Sequence, residues 1–230
     1  MQLLYNIFGF IMRWIYESLS SLEIDFQYIS VFALTVLAMS VLNRLITFPL
    51  TMKQANNSKK MQSFQPKLAE LEKKYAYDER ILQQKKMEFY KENNLSQVGC
   101  ASCLPMVIQL IAVLGLMGVM RNPELYLFDD ASMLDTISKN FFWISDLTKP
   151  DVWYGLPLIY TASMILVTKF NPASKQSEAT GMGSMMYIMP IAFFFLTIRW
   201  ASAVVLYWTF GNILELIIRG ILALVTKKEK

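Results

Sequence analysis

The 230-residue chain contains no histidine, and only 17% of its residues are charged. Without an imidazole it lacks the usual general base near neutral pH, the commonest metal ligand and any His-containing catalytic triad. The two cysteines, Cys100 and Cys103, form a single CxxC, with neither a second pair nor a histidine to complete a zinc tetrahedron. They read as small packing residues at a membrane edge, with a redox-reactive pair as the alternative. No phosphate-binding P-loop is present. These absences argue against an enzyme, and no cofactor or metal is expected.

What the chain has is apolar surface. Apolar residues make up 54% of it and the mean hydropathy is +0.34, a balance that an ordinary soluble domain of this size does not show. A bilayer-spanning helix needs about 20 mostly apolar residues to cross roughly 30 Å of hydrocarbon. Several stretches qualify. The expected fold class is an all-α integral membrane protein with five transmembrane helices, an N-terminal interfacial amphipathic helix and a cytoplasmic helical hairpin.

In residues 1–27, Leu3, Leu4, Ile7, Phe8, Ile11, Ile15 and Leu19 recur at helical spacing, which suits an amphipathic helix in the membrane interface. A short extra span is the competing reading. Arg13 lies inside this apolar run and no small-residue cleavage pattern follows, so the segment is expected to stay in the mature chain. The first span is residues 28–50, closed by Phe48-Pro49. Residues 51–99 are polar, with Leu68, Leu71, Tyr75, Ile81, Leu82 and Phe89 spaced for one face of two short helices that break near Tyr77-Asp78. The other spans are expected at 100–120, 153–169, 185–198 and 201–224. Arg121-Asn122-Pro123 stops the second span. Residues 121–152, with Phe141, Phe142 and Trp143, read as a loop with a short amphipathic stretch at the interface.

Lysine and arginine in short loops orient such a chain. The 51–99 segment carries Lys59, Lys60, Lys67, Lys73, Lys74, Arg80, Lys85 and Lys86, which places it in the cytoplasm. The 121–152 loop is dominated by Glu124, Asp129, Asp130, Asp135, Asp146 and Asp151, which places it outside. Lys169 and Lys175 in the 170–184 loop, and Lys227, Lys228 and Lys230 in the 225–230 tail, return to the cytoplasm. Five spans with the N-terminus outside and the C-terminus inside satisfy every loop. The net charge of +4 echoes this bias and gives no reason to expect nucleic acid.

Few polar groups interrupt the spans. Arg44 lies about 9 Å from the cytoplasmic end of the first, at 1.5 Å per residue. An arginine at a helix centre costs about 2.5 to 3.5 kcal/mol on insertion scales, relieved in part by snorkelling. It is either a snorkelling side chain that reaches lipid phosphate or a cation lining a wet cavity between helices. Gln109 in the second span, and Thr209, Asn212 and Glu215 in the fifth, lie at comparable depths and support the cavity. Glu215 either pairs with Arg44 or sits at the interface beside Arg219 one turn later; the second is preferred from sequence.

The run Asn43-Arg44-Leu45-Ile46-Thr47-Phe48-Pro49-Leu50 resembles the end of the first span in the YidC/Oxa/Alb family of membrane-protein insertases, where an arginine faces a hydrophilic groove. Gly99-Cys100 and Cys103-Leu104-Pro105-Met106-Val107-Ile108-Gln109 are similar to that family's second span. Phe142-Trp143-Ile144-Ser145-Asp146-Leu147-Thr148-Lys149-Pro150-Asp151 with Leu156-Pro157 resembles the entry to its third, and Met189-Pro190-Ile191 and Leu206-Tyr207-Trp208 with Asn212 its fourth and fifth. The matches run in order along almost the whole chain, and the short length resembles the Gram-positive type, which implies a multi-pass protein of the bacterial plasma membrane. Two departures stand out: no proline follows Gln109, where the family often has one, and Glu215 stands where an acidic residue is not expected.

The resemblance implies an insertase and chaperone without nucleotide, whose substrates are nascent membrane proteins. Short polar tails would cross a groove open to the cytoplasm and lined by Arg44, Gln109, Thr209, Asn212 and Glu215, while hydrophobic segments would slide into lipid. The basic hairpin would receive the ribosome, the substrate or anionic lipid, beside a Sec translocon; its plainer reading is a solvated basic loop. No nucleic acid beyond ribosome contact is implied. A small channel or secondary transporter is the rival class, against which stand the lack of an inverted repeat and the single intramembrane acid.

Overall fold

The computed structural model describes residues 1–22, 26–93, 100–128, 135–170 and 183–228, with backbone alone at 54–55, 57–59, 61–62, 100–106, 183–186 and 222–228. The side chains of Lys59, Cys100, Cys103, Lys175, Met185, Met186, Lys227, Lys228 and Lys230 therefore lie outside the described residues. Eight helices are described: α1 (Gln2–Ser20), α2 (Val31–Lys74), α3 (Glu79–Glu92), α4 (Cys100–Arg121), α5 (Pro123–Tyr126), α6 (Gly155–Lys169), α7 (Gly183–Thr197) and α8 (Ser202–Lys228). Val31–Lys53 and Ser202–Ile221 are long and apolar enough to cross a membrane, and Val107–Arg121, Gly155–Lys169 and Tyr187–Thr197 are shorter apolar helices.

Ser30 starts α2: its Oγ accepts from Ala33 N at 3.1 Å and donates to Asn140 O at 2.8 Å. The helix does not close at Phe48-Pro49. It runs unbroken from Val31 through Pro49 and Pro66 to Lys74, 44 residues in all. Proline removes one N–H from the ladder, and the neighbouring turns gain bonds instead, from Thr47 Oγ1 to Asn43 O (2.9 Å) and from Thr51 Oγ1 to Thr47 O (3.2 Å). One helix thus runs from the apolar core into the polar hairpin, and the hairpin's first arm is the end of the first apolar helix rather than a separate element.

The chain turns back after Tyr75, where Asp78 caps α3 by accepting from Arg80 N (2.9 Å) and Ile81 N (3.2 Å). Leu68 is buried between the arms with Phe64, Leu71, Phe89 and Tyr90 around it, and Lys86 bridges them to Glu72 at 2.6 Å. This cluster is separate from the main core.

In that core α8 packs on α6 and α2, α6 on α7, and α1 on both α2 and α4. Phe32, Val36, Leu116, Val119, Leu156, Val204 and Val205 are almost wholly buried. The N-terminal segment is helical and two-faced. Gly9 and Met12 are buried, while Leu3, Ile7, Phe10 and Trp14 are exposed. Its close approach requires glycine: a Cβ on Gly9 would lie 2.2 Å from Tyr126 O, and one on Gly118 would lie 2.1 Å from the Tyr5 ring.

The aromatic stretch at 141–143, expected to be amphipathic, is a set of turns and isolated bridges that closes one end of the bundle. Phe142 N donates to Tyr28 O (2.7 Å), while Ser202 N and Ala203 N at the start of α8 donate to Lys149 O and Leu147 O (both 2.8 Å). Asp151, buried, accepts from Trp143 Nε1 (3.2 Å), Trp153 N (3.1 Å) and Leu156 N (2.8 Å) and so anchors the start of α6. Phe142 and Tyr154 adopt positive φ, 49° and 55°, a conformation that L residues hold only where surrounding contacts enforce it.

Candidate functional site

Polar residues in α2 and α8 lie in register. In α2, Ser40, Arg44, Thr47 and Thr51 are spaced four, three and four apart, which puts them on one helix face. In α8, Tyr207, Gly211, Glu215 and Arg219 recur every fourth residue. The two stripes meet. Ser40 Oγ donates to Tyr207 O at 2.9 Å, Arg44 Nη2 donates to Gly211 O, and Arg44 Nη1 pairs with Glu215 Oε2. Val41, Leu42, Leu45, Ile46 and Phe48 of α2, and Ile213, Ile217 and Ile221 of α8, are turned out from the bundle and exposed.

Gly211 makes room for this seam. A Cβ there would stand 3.3 Å from Ser40 Oγ and 3.7 Å from Arg44 Nη2. The guanidinium is half-buried and Glu215 is buried, with side-chain exposures of 18% and 9%, so the pair is shielded well enough for its charges to matter. Arg44 Nε is buried with no hydrogen-bond partner among the described residues.

Glu215 does not choose between its two neighbours. Its Oε1 accepts from Arg219 Nε at 2.6 Å while its Oε2 holds Arg44. The sequence preference for Arg219 alone is therefore corrected: the four-residue step along α8 makes Arg219 reachable, and the packing of α2 brings Arg44 to the other oxygen.

The remaining sequence candidates divide. Gln109 meets not Arg44 but the residue before it, with Asn43 Nδ2 donating to Gln109 Oε1 at 3.1 Å. Asn212 turns to the other side of α8, where its Nδ2 donates to Ser163 Oγ of α6 at 3.0 Å. Thr209 is buried and returns its hydroxyl to Val205 O of its own helix at 2.8 Å, so it presents no donor to the seam. Sequence reasoning missed Ser40, Ser163 and Gly211. The four-residue step from Ser40 to Arg44, and a glycine four residues after Tyr207 within an apolar helix, were the signals available.

In the hairpin, Lys60, Lys67, Lys73, Lys74 and Arg80 are exposed. Lys85 and Lys86 are engaged, with Glu88 and Glu72 respectively, both at 2.6 Å. Lys67 and Lys74 lie over the rings of Phe64 and Tyr75, at 5.8 and 5.6 Å from the centroids. The basic surface on offer is thus smaller than the count of lysines suggests.

Residues 24–229 match the family model described as 60Kd inner membrane protein. The chain is similar to the membrane protein insertase YidC of Clostridium perfringens, with 33% identity over 222 residues that cover 92% of this chain and 86% of the relative. It is 31% identical over 191 residues to that of Fusobacterium nucleatum, covering 83% and 85%. Against that of Treponema denticola it is 35% identical over 205 residues, which are 85% of this chain but only 35% of the longer relative.

Proposed function

Since the chain belongs to the YidC/Oxa/Alb family of membrane-protein insertases, we propose that it inserts nascent membrane proteins by drawing their short polar tails into the seam between α2 and α8. The observation that carries this reading is Arg44, held inside an apolar bundle by Glu215 and by the carbonyl of Gly211. A cation kept at that depth has an electrostatic task, since an apolar residue would pack there at lower cost.

In this reading α2 up to about residue 53, α4, α6, α7 and α8 span the bilayer. The hairpin of α2 and α3 stands in the cytoplasm, the cap at 135–154 faces outward, and α1 lies along the outer interface with Trp14 and Phe10 toward lipid. The N-terminus is outside and the C-terminus inside, as the lysine and arginine distribution requires. The 15 residues of α6 rise only about 22 Å, less than the roughly 30 Å of hydrocarbon. The bilayer is then thin beside the seam, and a tail has less to cross.

A carboxylate of the tail exchanges water for Arg44, and the membrane potential assists its passage outward by about 2.3 kcal/mol per charge per 100 mV. Gln109 and Asn43 beside the seam offer neutral hydrogen bonds to the tail backbone, whose unpaired groups would otherwise cost several kcal/mol each in hydrocarbon, while Asn212 and Ser163 hold α6 against the far side of α8. The hydrophobic segment leaves sideways over the exposed apolar faces of α2 and α8. Exposed Lys60, Lys67, Lys73, Lys74 and Arg80 form the surface for the ribosome, a Sec translocon or anionic lipid.

The test is insertion of a small single-span protein with a short acidic tail into liposomes that contain the purified chain. Insertion above empty liposomes, with at least a tenfold loss in Arg44→Ala, is expected, on the order of the energy of one shielded charge contact. A folded wild type no better than empty liposomes would sink the autonomous insertase and favour a channel or transporter. Undiminished insertion by Arg44→Ala would move the substrate path away from the seam.

A further inference from the structure

An insertase of the kind described needs a cation in the seam; nothing in that scheme asks for a buried acid. Glu215 is nevertheless only 6% exposed, and both its oxygens are occupied, one by Arg44 and the other by Arg219 Nε at 2.6 Å. Two guanidinium groups around one carboxylate leave a single net positive charge. The arrangement is asymmetric in what it can release. If another carboxylate takes Arg44, Glu215 keeps Arg219 on its own helix and is not left as a lone buried charge, the outcome that makes breaking buried ion pairs costly. Arg44 Nε, buried without a partner among the described residues, gives an arriving acid a donor that Glu215 does not occupy.

We infer that Glu215 is a resident competitor for Arg44 which sets how acidic a substrate tail must be to enter the seam, with Arg219 holding Glu215 after Arg44 changes partner. The inference rests on the insertase reading and names the substrate class: tails that carry more than one carboxylate. A ligand tethered within the same molecule competes at high effective concentration, so a tail with one acid is at a disadvantage that a second acid offsets. Glu215 and Arg219 act here as specificity-determining and positioning residues.

The experiment measures insertion of matched single-span substrates with neutral, one-acid and two-acid tails into liposomes carrying wild type, Glu215→Gln, or the double variant Glu215→Gln with Arg219→Gln. Each acidic-to-neutral ratio is taken within one variant, so a general loss of activity cancels. Wild type should favour the two-acid tail and treat the one-acid tail nearly as neutral. Both variants should raise the one-acid ratio about threefold, within the range of a single partly screened ion pair. The double variant has the same net charge as wild type, so a ratio restored to the wild-type level would mean that only net charge acts and would overturn the competitor. A ratio unmoved in Glu215→Gln would overturn it as well. If Glu215→Gln does not fold, the charge-balanced double variant decides alone. Failure of wild type to insert any of the three tails above empty liposomes would instead defeat the underlying insertase reading, and this inference with it.

Discussion

Asn43 Nδ2 of α2 donates to Gln109 Oε1 of α4 at 3.1 Å, one residue before the arginine that pairs with Glu215 of α8. Consecutive residues of one helix point about 100° apart, and here that divergence lets α2 bond two different helices at one depth. The layer is therefore a cross-link among α2, α4 and α8 as well as a candidate path.

A double-mutant cycle isolates that bond. Asn43→Leu and Gln109→Leu, alone and combined, should show a coupling of about 0.6 to 1 kcal/mol in the unfolding free energy of the protein in bicelles, as interhelical bonds in membranes do. A coupling indistinguishable from zero would remove Asn43–Gln109 from the forces that hold α4 against α2.

Charge and geometry separate at Arg44. Because the guanidinium addresses a carboxylate and a backbone carbonyl with different nitrogens, Arg44→Lys should keep more insertion than Arg44→Ala yet less than wild type. An ammonium supplies the charge without the planar fork. Initial insertion rates in liposomes give the comparison, and equal loss in both variants would show that the fork is what the substrate requires.

Deleting residues 60–92 should leave a folded, membrane-embedded protein with reduced insertion. The Leu68 cluster of the hairpin and the main core share no residue, so the deletion removes one cluster and leaves the other intact. Carbonate extraction and thermal unfolding in detergent report on the remainder. Loss of the protein from the membrane fraction would show that the hairpin supports the core after all.

The cap at 135–154 should loosen in acid. Partial burial of Asp146 works to raise its pKa, but it is outweighed by hydrogen bonds from Thr148 Oγ1 (2.6 Å) and Thr148 N (2.9 Å) and by the Lys149 ammonium (3.3 Å), so the carboxyl is held below its ordinary value. A depressed folded pKa contributes stability that is fully present above the unfolded value, about 3.9, and that is lost as pH falls through the folded one. Protection factors of the cap amides, which allow for slower intrinsic exchange in acid, should fall over that range, and Asp146→Asn should flatten the dependence. An unchanged profile in the variant would exclude Asp146 as the group responsible.

What the sequence determined by itself was one-dimensional. Apolar runs, the lysine-rich stretch after Thr51, the breaks near Asp78 and at Arg121-Asn122-Pro123, and Arg44 as an anomaly inside an apolar segment all follow from composition and periodicity along the chain. The helices, and the residues that carry the family resemblance, were legible for that reason. Pro49 was misread as a stop because a proline's local cost is visible in sequence, whereas the Thr47 and Thr51 bonds beside it form only once the helix exists. The tertiary structure alone decided partners. Gln109 lies at much the same expected depth as Arg44 but meets Asn43, Asn212 faces Ser163, and Glu215 holds two arginines at once. Depth is set by position along a helix, but partnership is set by how each helix is rotated and which neighbours it packs against. That rotation comes from long-range contacts, such as Gly211 admitting Arg44 beside Ser40, that no local pattern encodes.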